Sequence, residues 1–290
     1  MKTPTTRTGA EASVRVDAEL RRLVVARLAV AGGVVGAVAG FLVLDVIGLV
    51  IGALVIGGIG VAFSIAAVGR VVSGALDVVT SSVDARAVDA EDFPRLFNLL
   101  EGLCAVTGVQ VPRVLVTRDN SINALVAADP SRTATSVLVV TDGFVTSLER
   151  IEMEGAVAVC LARLRSGIAE TQTLAASLTM NTPWFLGSSA ARRLAARANS
   201  TQLVFDADVK GAGITRYPPG LAAAYSKMVD GSTRVARFSP ETAGMWLADP
   251  AGETDVAGDD AVINTPGSRV ESHTEDRPPL VERLALLREI

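Results

Sequence analysis

Residues 120–167 read NSINALVAADPSRTATSVLVVTDGFVTSLERIEMEGAVAVCLARLRSG, and the order of elements in this stretch decides the fold. Ile122 to Ala127 and Ser136 to Thr141 are short β-like runs rich in branched apolar residues. Asp142-Gly143 punctuates the second run. Phe144 to Leu148 opens a helix, and Glu152 to Arg165 forms a longer one with apolar positions at Met153, Ala156, Val157, Cys160, Leu161 and Leu164, the spacing of a helix face. Two strands feeding a long helix point to an α+β domain.

Upstream, Asp92 to Val106 carries Phe93, Leu96, Leu99, Leu100 and Leu103 at helical spacing, and Arg113 to Thr117 adds another strand. Val71 to Val88 reads as a helical exit from what precedes it. Downstream, Leu194 to Val209 and Pro219 to Val229 read as helices, the latter opened by Tyr217-Pro218-Pro219-Gly220. Thr171 to Ala190 is interrupted by Asn181, Pro183 and Gly187 and is expected to lie on a membrane surface or pack among helices. Ala251 to Asp276 is polar and aperiodic, a loop, and Pro278 to Ile290 closes the chain as an amphipathic helix.

Further upstream the character changes. A run from Leu28 to Leu44 carries no charge, and after Asp45 the apolar sequence resumes from Val46 to Gly69. A bilayer core needs about 20 apolar residues per helix. The expected anchor is thus a transmembrane hairpin, Leu23 to Leu44 and Val46 to Val68, turning at Asp45. Arg15, Arg21 and Arg22 precede it, Arg27 snorkels near its start and Arg70 follows, which puts both flanks, both termini and the soluble domain on the cytoplasmic side of the plasma (inner) membrane. Gly32, Gly36 and Gly40 share one helical face, and Gly48 and Gly52 repeat the spacing; packing within the hairpin or dimerisation would each use it. The expected organisation is a tail over 1–22, the hairpin over 23–70, a soluble domain over 71–250, a loop over 251–276 and a terminal helix over 277–290.

Bulk composition agrees. The 290 residues are 49% hydrophobic with mean hydropathy +0.40, and the net charge of −4 gives no basic footprint for nucleic acid. Cys104 and Cys160 match no disulfide or metal-knuckle spacing. Cys160 reads as a small buried hydrophobe. The chain holds one histidine, His273, in the charged stretch ESHTEDR.

The blocks together resemble the HtpX-like membrane-anchored zinc metallopeptidases. Residues 120–167 are similar to that family's edge strand, its second strand and its ELEAVLAHELxHI helix; LVFDADVKGAGITRYPPGLAAAYSKM (203–228) resembles its RExxAD helix pair. MWLADP (245–250) and RPPLVERLALLREI (277–290) resemble its last two blocks. The resemblance implies a mainly helical α+β zincin-like domain with a small β-sheet behind a two-helix transmembrane hairpin. It also implies zinc on two histidines four residues apart, a glutamate base between them, and a third ligand from a later helix.

Laid on that pattern, Val159 stands at the first histidine, Cys160 at the glutamate, Arg163 at the second histidine and Val204 at the third ligand. Valine offers no donor atom, and guanidinium brings a fixed positive charge without a metal-binding lone pair. With one histidine in the chain, no two-histidine helix site exists. The expectation is therefore no catalytic residue, no metal and no cofactor. Arg163 is expected to pair with Asp206, Asp208, Glu152 or Glu154, and Asp208 to be a retained supporting residue. Ile122, Asn123, Ala124, Leu125 and Val126 would be the strand on which a substrate peptide adds, a function that needs unpaired backbone and no metal. The implied partners are the lipid bilayer and a peptide, a membrane protein or an active paralogue. The principal reading is an inactive pseudopeptidase. The alternatives are an active zinc metalloendopeptidase of membrane-protein quality control with a non-standard ligand set, and a purely structural membrane protein.

Overall fold

The structure is a computed structural model that describes residues 26–27, 29–38, 54–62, 66, 69–131, 135–181, 188–252 and 277–290. The expected tail over 1–22, His273 and most of the loop over 251–276 lie outside these residues, as does much of the hairpin. Within the hairpin, residues 29–38 and 54–62 are helical. Among the described residues no helix is long and apolar enough to cross a membrane. The two stretches nevertheless meet through glycine: a Cβ added at Gly32 would sit 3.2 Å from the Ile56 carbonyl oxygen and 3.7 Å from the Cα atoms of Gly57 and Gly60. Gly32 thus meets the 54–62 helix at Ile56, Gly57 and Gly60, while Gly40, Gly48 and Gly52 lie outside the described residues.

A helix over residues 69–81 (α1) leads into a four-stranded mixed sheet of order β1-β2-β4-β3. β1 (Ala85–Ala87) and β2 (Arg113–Thr117) are antiparallel, β2 and β4 (Ser136–Thr141) parallel, and β4 and β3 (Ala124–Ala128) antiparallel. Both faces of this sheet are covered. Val114, Val116, Val126, Leu138 and Val140 face one core, built with α2 (Pro94–Thr107) and helices from the second half of the chain. Their alternates Leu115, Leu125, Val137 and Val139 face a second core that includes Leu76 and Val79 of α1 and Trp246. That is why the strands read as near-continuous apolar runs and not as alternating ones.

After β4 come α3 (Asp142–Ser147), α4 (Arg150–Ser166), α5 (Ile168–Asn181), α6 (Ser188–Ala198), α7 (Thr201–Thr215), α8 (Pro218–Asp230), a 3-10 turn (Pro240–Met245) and α9 (Leu280–Glu289). Thr141 ends β4 and caps α3, its hydroxyl accepting from the Phe144 N–H at 3.1 Å. Gly143 is obligatory there, since a Cβ would lie 2.1 Å from the Asn120 carbonyl oxygen. α4 opens with Glu152 accepting from the Glu149 N–H at 2.7 Å and closes on Gly167 in the left-handed conformation.

Two expectations need correction. The helix predicted over 194–209 is two helices, broken at Asn199–Ser200, because Ser200 takes an extended conformation and starts α7 anew. The helical exit predicted over 71–88 stops at 81, and Ala85–Ala87 turn back to pair with β2.

Candidate functional site

α4 packs along α7 and α8, and the positions matched to the metal site, Val159, Cys160, Arg163, Val204 and Asp208, sit on α4 and α7. Val159 and Cys160 are buried near the middle of α4; Val204 and Asp208 are buried one turn apart on α7. α4 and α7 come close at Val159. A Cβ at Gly211 of α7 would lie 2.6 Å from Val159 Cγ2 and 2.9 Å from its Cα. One turn further along α4, the Arg163 side chain is 2% exposed.

Arg163 does not pair with a carboxylate, contrary to expectation. Its Nη1 donates to the backbone oxygens of Met245 (3.1 Å) and Trp246 (3.2 Å), while its Nη2 has no partner among the described residues. The carboxylates expected for it are engaged elsewhere. Asp206 meets Lys210 at 2.5 Å, Glu152 meets Lys227 at 2.7 Å, and Asp208 is taken by Arg283. Glu154 makes no ion pair with Arg163.

The Asp208–Arg283 pair is the electrostatic centre of the domain. Arg283 donates Nε to Asp208 Oδ2 and Nη2 to Oδ1, both at 2.7 Å, a bidentate fork with both side chains at 0% exposure. Tyr225 of α8 donates its hydroxyl to Asp208 Oδ1 at 2.6 Å, and the Arg283 guanidinium lies 4.6 Å from the Tyr225 ring centroid. Arg283 Nη1 reaches the Leu247 carbonyl at 2.6 Å. One carboxylate thus joins α7, α8, α9 and the segment after the 3-10 turn. Burial, and then the Arg283 charge, pull the Arg163 guanidinium below its ordinary range. Burial also pushes the Cys160 thiol up to about 11, so it stays protonated at neutral pH.

The strand expected to receive peptide has its outer edge filled. Leu247 donates its N–H to the Ala124 carbonyl at 2.6 Å, Trp246 bridges Leu125, and the Asn123 amide clasps Ala248 through both its carbonyl and its N–H. Thr173 of α5 accepts from the Ala128 N–H at 3.1 Å. Arg277 adds bonds of 2.6 Å to the Trp246 and Leu247 carbonyls. Asn123 to Val126 are fully buried and Ile122 nearly so, and Met245, Trp246 and Leu247 are as deeply buried as they are. The unpaired backbone that strand addition requires is already paired within the chain at Ala124.

Arginines 277 and 283, Tyr225 and the Met245–Leu247 carbonyls were not picked out from the sequence. Arg283 stands in the quoted RPPLVER block, but nothing local links it to an aspartate 75 residues away.

The chain is 28% identical over 206 residues to a protein named protease HtpX homolog from Dictyoglomus thermophilum, spanning 60% of this chain and 67% of that one. A protein of the same name from Dictyoglomus turgidum is 26% identical over 244 residues, covering 73% and 74% of the two chains. Another, from Lactiplantibacillus plantarum, is 29% identical over 220 residues, covering 62% and 72%. These likenesses support an HtpX-like family. No family model matches, and no solved structure does. The mainly helical domain with its small mixed sheet is consistent with a zincin-like domain.

An HtpX-like peptidase would hold zinc between α4 and a later helix, and the residues here do not fit that ion. Val159 is pressed onto Gly211 and carries no donor atom, and Arg163 directs a guanidinium at backbone carbonyls. Among the described residues no three His, Cys, Asp or Glu side chains gather as a metal-ligand group.

Proposed function

We propose that this chain is a membrane-anchored, non-proteolytic HtpX-like homologue. It would lie in the plasma membrane with its soluble domain and both termini in the cytoplasm, binding a membrane-protein partner or an active paralogue in place of cutting a substrate. The observation that carries the reading is Arg163. At the position where the family resemblance puts the second histidine stands a buried cation, hydrogen-bonded to the Met245 and Trp246 carbonyls. A zinc ion a few Å away would meet charge repulsion and no lone pair. The single histidine of the whole chain supports the same reading. The hairpin and its arginine asymmetry support the membrane assignment. The filled edge of β3 favours a folded partner over an extended peptide, because a peptide would have to expel Trp246 and Leu247 from the core.

The test is elemental analysis of the detergent-purified full chain after exposure to zinc, run beside casein cleavage. Well under one zinc per chain and no cleavage are expected. One tightly bound zinc with chelator-sensitive cleavage would instead establish a working enzyme with a different ligand set. Capture of the tagged chain's partners from detergent extract then separates a binding protein from an inert scaffold.

A further inference from the structure

α6 (Ser188–Ala198) has the sequence SSAARRLAARA, with three arginines and no acidic residue. It is two-faced. Leu194 and Ala198 are buried, whereas Arg193, Ala196 and Arg197 are exposed, with Arg193 and Arg197 one turn apart on the outer face. Leu194 belongs to a small apolar cluster with Leu174 and Ala175 of α5 and with Val72 of α1. Val72 lies two residues beyond Arg70, an exposed arginine at the foot of the expected hairpin. The chain thus brings a basic helix against Val72, two residues beyond Arg70, at the start of α1.

We propose that the outer face of α6, together with Arg70, is a docking surface for the anionic headgroups of the membrane in which the hairpin sits. The proposal rests on the membrane reading of residues 23–70. Three observations select a lipid surface as the occupant. The arginines lie beside the anchor, so a bilayer there is at an effective concentration no soluble partner matches. The charge is of one sign along the whole helix. The cytoplasmic leaflet is negative, and juxtamembrane arginines are attracted to it over a Debye length of about 10 Å. Asp77, the first acidic residue of α1, is seven residues beyond Arg70, roughly 10 Å further along the helix at 1.5 Å per residue.

The experiment places the full chain in nanodiscs of phosphatidylcholine alone, or of phosphatidylcholine with about one-third phosphatidylglycerol, and follows amide hydrogen exchange across 188–198. Exchange there is expected to slow at least about fivefold in the anionic discs, the factor that corresponds to one arginine near such a surface. Added 0.5 M salt should erase the difference, and so should the pair Arg70→Gln with Arg193→Gln. Exchange in α4 serves as the control for folding, since both substitutions are at exposed positions. Equal exchange of 188–198 in the two lipids, or a slowing indifferent to salt and to the substitutions, overturns the surface and leaves the anchor standing. A chain that fails to enter the discs overturns the anchor and the surface together.

Discussion

Among the described residues two arginines are buried in the domain, and they are not equivalent. Arg283 is compensated by Asp208 through two bonds of 2.7 Å, whereas Arg163 has only backbone oxygens. Removing Asp208 leaves Arg283 uncompensated in the core, so Asp208→Ala is expected to lose about 3–5 kcal/mol. Arg163→Met surrenders two hydrogen bonds but also a desolvated cation beside Arg283, and should change stability by no more than about 1 kcal/mol. Urea titration of both variants against the parent checks the contrast, and equal losses would count against it. Cys160 supplies a second case. Its pKa rises on folding from an ordinary value near 9 to about 11, so the folded state holds the proton more tightly than the unfolded one. Stability is therefore fully present below about pH 9 and declines as pH rises toward 11, by roughly 2–3 kcal/mol. Cys160→Ala should remove that part of the alkaline slope, measured as the difference between parent and variant unfolding at pH 8 and pH 11.

Among the helices, the contact of α4 with α7 depends on absent side chains. Gly211→Ala puts a methyl within 3 Å of Val159 backbone atoms, which side-chain rotation does not relieve. A loss of about 1–3 kcal/mol is expected. Gly213→Ala on the same helix meets nothing within 4 Å and should be neutral or slightly stabilising, by up to about 1 kcal/mol. Thermal melts of the two variants distinguish interhelical crowding from a general effect of glycine. The regular elements were largely legible. β2 and β4 have the predicted limits, and α4 differs from prediction by two residues at its start and one at its end. Helical spacing and turn residues are local signals, and both survive folding. The break at Ser200 was not legible, because apolar spacing runs through it and only the backbone conformation of one serine interrupts the helix. β1 escaped because three residues, Ala85–Ala87, carry too little pattern. The replaced site positions were readable one by one, yet the consequence was not. That Arg163 turns to carbonyls and leaves Asp208 to Arg283 depends on segments 75 to 83 residues away.

At the scale of the molecule, the reading without zinc makes a direct thermal prediction. Chelator should leave the melting temperature unchanged, since no bound metal adds to folding stability, whereas a structural zinc would contribute several kcal/mol that the chelator would withdraw. Differential scanning with and without EDTA decides it. The mounting of the domain has its own consequence. α1 is built into the fold: its Ala75, Leu76 and Val79 are buried, and Leu76 and Val79 join the second core against the sheet. The helix that begins at Gly69 is the same helix that packs against the sheet, so the fold begins with α1. On the membrane reading proposed above, the domain would begin at the bilayer itself, and a partner diffusing in that plane is the one it would meet first.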